Sequence, residues 1–103
     1  MKSYQLVIEP EAVEDIQEAL NYYAEIYGNL GRRFKDSVDK TLEQIKKNPF
    51  YQIRYNGNIR WLHLKKFPYS IHYIIDDLYD NIHILAIIHT ASDPDKTWLW
   101  QEE

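Results

Sequence analysis

No cysteine occurs in the 103 residues. That excludes a disulfide framework and thiolate chemistry. No apolar run approaches the ~20 residues that cross a bilayer as a helix. Met1–Pro10 lacks the basic start and following apolar block of a secretory signal, so a cytoplasmic protein is the default expectation. Internal repeats, linkers and low-complexity stretches are also lacking. What remains is an ordinary composition, 45% hydrophobic and 27% charged. The chain is long enough for one modest core and is expected to form a single domain over residues 1–103.

The stretch Ile59–His89 carries the strongest signal. Ile59–Lys65 alternates and ends at Lys66-Phe67-Pro68. Tyr69–Ile75 is aromatic and β-branched and ends at Asp76-Asp77. Ile82–Ile88 is almost continuously apolar after Asp80-Asn81. Three such runs joined by short turns predict an antiparallel meander. A turn centred on Phe67-Pro68 sets Lys65 against Ser70, His63 against His72 and Leu62 against Tyr73. Pairing Ile75 with Ile82 extends the register to the last strand. One face then carries Leu62, Leu64, Ile71, Tyr73, Ile75, Ile82, Ile84, Ala86 and Ile88, and is the expected core. The other carries Trp61, His63, Lys65, Ser70, His72, Ile74, His83, Leu85, Ile87 and His89. A one-residue slip would destroy this sorting.

Upstream, Tyr4, Leu6 and Ile8 alternate with polar positions, as in a half-buried strand. Pro10 suits the first turn of a helix, and Glu9, Glu11, Glu14 and Asp15 suit its positive end. Val13, Ile16, Leu20, Tyr23 and Tyr27 recur at helical spacing up to Gly28. Phe34, Val38, Leu42 and Ile45 form the stripe of a second helix, stopped by Asn48-Pro49. Two helices joined so briefly predict an antiparallel hairpin covering the apolar face of the sheet. Phe50–Asn58 reads as a loop with a turn at Asn56-Gly57-Asn58. The order is strand, helix, helix and three strands, an α+β fold.

Net charge is −4, unevenly spread. Residues 1–31 hold Lys2 against six acids, and residues 67–103 hold Lys96 against seven. Residues 32–66 hold ten basic side chains against Asp36, Asp39 and Glu43. The basic middle is either a patch for an acidic partner or nucleic acid, or two solvated faces. His63, His72 and His83 fall on adjacent strands, but without a His-x-His pair no metal site is expected. Glu14, Asp15 and Glu18 are read as partners of the helix dipole rather than as a hydrolase pair. Trp61, Leu85 and Ile87 on the second sheet face, with Trp98 in the tail, give more apolar surface than a solvated face needs. They are the expected partner-binding residues.

The element order, together with specific residues, resembles the RelE/ParE superfamily of type II toxins over nearly the whole chain. The residues carrying the likeness are Glu14-Asp15-Ile16, Tyr22-Tyr23, Arg60 and Lys65-Lys66-Phe67-Pro68-Tyr69. With them come Tyr73, the Ile84–His89 strand with its closing His, and Asp93-Pro94 before Trp98. The resemblance implies a cognate antitoxin as partner, no cofactor, and one of two targets. ParE-like members poison DNA gyrase; RelE-like members cleave mRNA on the ribosome. For RNA cleavage, Arg60, Lys65 and His89 are the candidates for phosphate stabilisation and proton transfer. After His89, relatives commonly carry arginines where this chain has Thr90-Ala91-Ser92. That run departs from both active patterns and keeps open a relative that only binds antitoxin. The acidic balance and the Phe67-Pro68-Tyr69 and Asp93-Pro94 segments point to a ParE-like inhibitor. A RelE-like endoribonuclease and a relative that only binds antitoxin stand as the alternatives.

Overall fold

The computed structural model describes residues 3–90, and at Ile53, Tyr55 and Asn56 the backbone alone. Its elements are β1 (Gln5–Ile8), α1 (Pro10–Ile26), α2 (Leu30–Lys47), β2 (Ile53–Asn56), β3 (Ile59–His63), β4 (Tyr69–Asp76) and β5 (Asn81–His89). They form one five-stranded mixed sheet in the order β1-β5-β4-β3-β2. The meander β3-β4-β5 is antiparallel, and β1 adds to β5 in parallel. The fold is α+β with the expected order, plus one further short strand. That strand, β2, lies inside the stretch read as a loop. Four residues are too few for an alternation signal, and their strand form comes from pairing with β3 across a turn where Gly57 has φ +59°.

Both helices cover the sheet face bearing Leu62, Ile71 and Ile84. From α2, Phe34, Val38, Leu42 and Ile45 are all buried in this core, as their spacing requires. The inner face of α1 differs from the expected stripe. Ala12 and Ala19 are buried, with Ile16, Leu20 and Tyr23 packed beside them, while Val13 is 52% and Tyr27 66% exposed. Ranking by side-chain size overlooks alanine, which is what a close helix approach selects. Gly31 shows the same closeness: a Cβ there would lie 3.2 Å from the Ala24 methyl. Four rings, Tyr23, Phe34, Phe67 and Tyr69, stack with centroids 5.0 to 6.2 Å apart and fasten the β3–β4 turn to the helices.

Two details of the sheet correct the expected register. In β3–β4 the pairs are His63 with Ser70, Trp61 with His72, Leu62 with Ile71 and Arg60 with Tyr73. The shift is two residues, so the faces survive. Its cause is a turn wider than expected, closed by Leu64 N–H donating to Tyr69 O, with Lys66 at φ +67°. In β4–β5, Ile75 does pair with Ile82, and Tyr73 with Ile84. His72 then pairs with Ala86, leaving Leu85 as an extra residue. This bulge exchanges the faces of everything beyond it. Ile87, placed by simple alternation on the outer face, is 2% exposed within the main core. Ala86 and Ile88, expected in the core, instead form a small separate cluster with Ile59.

Candidate functional site

Arg60 is committed to the framework. It sits opposite Tyr73 on the helix side of the sheet. Its Nη1 donates to Phe50 O at 3.1 Å and Gln52 O at 2.8 Å, and its guanidinium lies 5.4 Å from the Phe50 ring centroid. The Tyr73 hydroxyl donates to Pro49 O at 2.7 Å in a buried site, and burial raises the Tyr73 pKa. Both side chains therefore tie down the turn that follows α2.

Lys65 and His89 lie at the opposite end of the meander. Lys65 is exposed, and its carbonyl accepts from Ser37 Oγ at 2.9 Å. His89 pairs with Tyr69 and meets its ring edge-on at 5.1 Å. The next residue, Thr90, donates from its amide to Pro68 O at 2.7 Å. Arg60 is paired four positions along β4 from Tyr69, roughly 13 Å at strand rise. The structure brings Lys65 and His89 to one end of the sheet and leaves Arg60 at the other.

The expected partner-binding residues are also divided. Trp61 is half-buried and packs on His63 with centroids 4.4 Å apart. Leu85 is half-buried at the bulge. Ile87 belongs to the core and drops out of the surface. Trp98 and the Asp93-Pro94 segment lie outside the described residues. His72 is fully buried and shares a 2.8 Å hydrogen bond with Ser70 Oγ. Desolvation, helped by the charge of nearby His63, lowers its pKa to about 4. It is thus neutral at pH 7 and forms an internal polar pair with Ser70. His83 contacts Glu9 through Nδ1 at 2.8 Å. Among the described residues, no group of three His, Cys, Asp or Glu side chains is arranged to hold a metal. Nor is any helix long and apolar enough to cross a membrane.

One concavity stands out among the described residues. It is an open groove of about 730 Å³ between α2 and the β3–β4 turn, lined by Leu30, Arg33, Lys40, Leu62, Lys65 and Lys66 among others. The sequence held its signal in the basic middle and in the recurrence of Leu30, Arg33, Ser37, Lys40 and Gln44 at three- and four-residue spacing. That recurrence runs beside the apolar stripe of α2 and was hidden by it.

Three solved structures are similar to this chain in fold. A chain of the chromosomal ParDE toxin–antitoxin system from P. aeruginosa superposes with a TM-score of 0.63 at 19% identity, covering 84% of this chain and 96% of that one. A chain of the RelBE2 toxin–antitoxin complex from Mycobacterium tuberculosis gives 0.58 at 16% identity, covering 85% and 99%. A doubly substituted E. coli RelE toxin in the free state gives 0.56 at 12% identity, covering 84% and 82%. These likenesses define the class: the fold is that of RelE/ParE toxins. A family model described as the ParE toxin of the type II toxin–antitoxin system parDE matches residues 6–94. The chain belongs to that family. No curated protein matches it in sequence.

Proposed function

We propose that the protein is the toxin of a type II pair, neutralised by a cognate antitoxin, and that it acts as ParE-like members do. It inhibits DNA gyrase or a related topoisomerase by binding, without chemistry of its own. The observation carrying this reading is the commitment of Arg60. A ribonuclease needs a cation beside its acid and base to stabilise the phosphorane. Here Arg60 is spent on Phe50 O and Gln52 O, at the opposite end of the meander from His89. Charge points the same way. Gripping ribosomal RNA gains from counterion release at each phosphate neutralised, and a chain of net charge −4 starts at a disadvantage.

The test is growth after induction in cells lacking the antitoxin. Wild type arrests growth, and so does His89→Gln, because no proton passes through the imidazole. Loss of arrest in a folded His89→Gln protein would count against a binding-only toxin.

A further inference from the structure

Nine large apolar or aromatic side chains are exposed among the described residues, and four of them belong to one end of the molecule. Phe50 and Tyr51 come from the turn after α2, and Leu78 and Tyr79 from the β4–β5 turn; Tyr51 is 84% and Leu78 80% exposed. Tyr4 joins the two turns. Its hydroxyl donates to Asp77 Oδ1 at 2.7 Å, and its ring meets Phe50 edge-on with centroids 6.4 Å apart. Each turn is also tied down from within. The Tyr73 hydroxyl holds Pro49 O, the Tyr51 amide donates to Asn48 O at 3.2 Å, and the Tyr79 amide donates to Asp76 Oδ1 at 3.3 Å. Turn apices favour Gly, Asn, Asp, Ser and Pro, which leave little apolar surface in water. The β4–β5 turn does not require Leu78 and Tyr79 at its apex. Single apolar residues on a surface mean little, but a cluster held in place marks a contact.

We infer that this end of the molecule is the surface that engages the target topoisomerase, with Tyr51, Leu78 and Tyr79 entering an apolar recess bordered by lysine and arginine. The inference rests on the function proposed above and adds the surface and the chemistry of its counterpart. Charge gives the sign of that counterpart. Asp76, Asp77 and Asp80 fall within five residues, and neither residues 3–31 nor residues 67–90 hold a lysine or arginine to offset them. Lys65 and Lys66 lie at the opposite end of the meander, so the apolar cluster shares its end with the carboxylates. An enzyme that grips DNA does so through cationic surfaces, and an acidic, apolar protein surface complements them. A nucleic acid is repelled by the same carboxylates. The acids set that preference, while the exposed rings and Leu78 supply the contact, as large side chains do at binding hot spots. Their anchored backbone has little conformational freedom to lose on binding.

The experiment titrates the fluorescein-labelled full chain with DNA gyrase by anisotropy and reads inhibition of supercoiling alongside. Tyr51→Ser/Leu78→Ser should bind about 30-fold or more weakly, the loss expected when hot-spot side chains are removed. The control Ile26→Ser/Tyr27→Ser removes two exposed side chains from the C-terminal end of α1 and should stay within about threefold of wild type. All four positions are exposed, so both variants should melt as wild type does. Asp77→Asn/Asp80→Asn keeps an acceptor for Tyr4 and suits the φ of +57° at position 80, where asparagine is favoured. It should bind about three- to tenfold more weakly at low salt, with the gap closing as salt rises. If it binds as tightly as wild type or tighter, the counterpart is not cationic and the inference is wrong. If Tyr51→Ser/Leu78→Ser binds as wild type does, or falls no further than the control, the assignment is overturned while the topoisomerase reading stands. If that variant halves the mass of the toxin in sedimentation, the patch joins two copies and the inference fails. If wild type binds neither gyrase nor a related topoisomerase, the function proposed above falls and this assignment with it.

Discussion

The Asp15 carboxylate on α1 accepts a hydrogen bond from the Ile87 amide of β5 at 3.0 Å. The contact follows from the bulge at Leu85. β1 ends at Ile8, opposite Ile84, so beyond that point β5 has no strand on this side. The extra residue reverses the side to which each later amide points, and the Ile87 N–H turns toward α1. Asp15 supplies the acceptor that a longer β1 would have given. An acid that reads as a dipole partner in sequence is thus the cap of a bulge. Asp15→Ala is expected to destabilise the fold by about 1–3 kcal/mol, the cost of stranding a buried amide. Asp15→Asn keeps an acceptor and should lose less. Urea midpoints of the two variants measure the difference.

The bulge also decides which side chains are core. Ile87→Ala should cost about 2–5 kcal/mol, as for a large apolar residue removed from a packed interior. Val13→Ala, on the exposed face of α1, should change stability by less than about 0.5 kcal/mol. Simple alternation along β5 and the sequence spacing of α1 predict the reverse order. Thermal melts of the two variants discriminate between the patterns.

The buried Ser70–His72 pair gives a pH dependence whose sign is fixed. The pKa of His72 is lowered from 6.5 to about 4 in the folded state. Between those values the unfolded chain binds the proton and the folded one resists it. Stability from this group is complete above about pH 6.5 and is lost as pH falls toward 4. The loss amounts to about 3 kcal/mol at 1.36 kcal/mol per pKa unit. Carboxylates contribute their own acid dependence, so the comparison is with His72→Gln. That variant should show a shallower fall in unfolding free energy between pH 7 and 4.5. Equal slopes would mean that His72 titrates normally.

Most of the fold was legible because it rests on periodicity. The β3, β4 and β5 runs, the Phe34-Val38-Leu42-Ile45 stripe and the stops at Gly28 and Pro49 are local patterns that tertiary packing reinforces. What escaped was set by pairing. The strand β2 exists because β3 offers it an edge, and no window of four residues announces that. The Leu85 bulge leaves no mark in a run of Ile, Leu and Ala, where every residue suits either face. The same gap affects the site. Arg60, Lys65 and His89 are recognisable as chemical types, but their separation depends on register and on the turn at Pro49–Gln52. The groove was half visible, as a basic stretch whose two walls come from α2 and the β3–β4 turn, some thirty residues apart.

Arg60→Met separates a framework role from a chemical one. Losing two charge-assisted hydrogen bonds to Phe50 O and Gln52 O should lower stability by a few kcal/mol. Protein that remains folded at low temperature should still inhibit its target. A variant of wild-type stability without activity would place Arg60 at the target surface instead.

Purified toxin should be added in parallel to DNA gyrase with supercoiled plasmid and to a purified translation system with a defined mRNA. A binding-only, ParE-like toxin gives protein-linked DNA breaks in the first, leaves the mRNA intact in the second, and behaves the same with His89→Gln. In-frame mRNA cuts that disappear with His89→Gln, with gyrase unaffected, would contradict it and make the protein a ribosome-dependent nuclease.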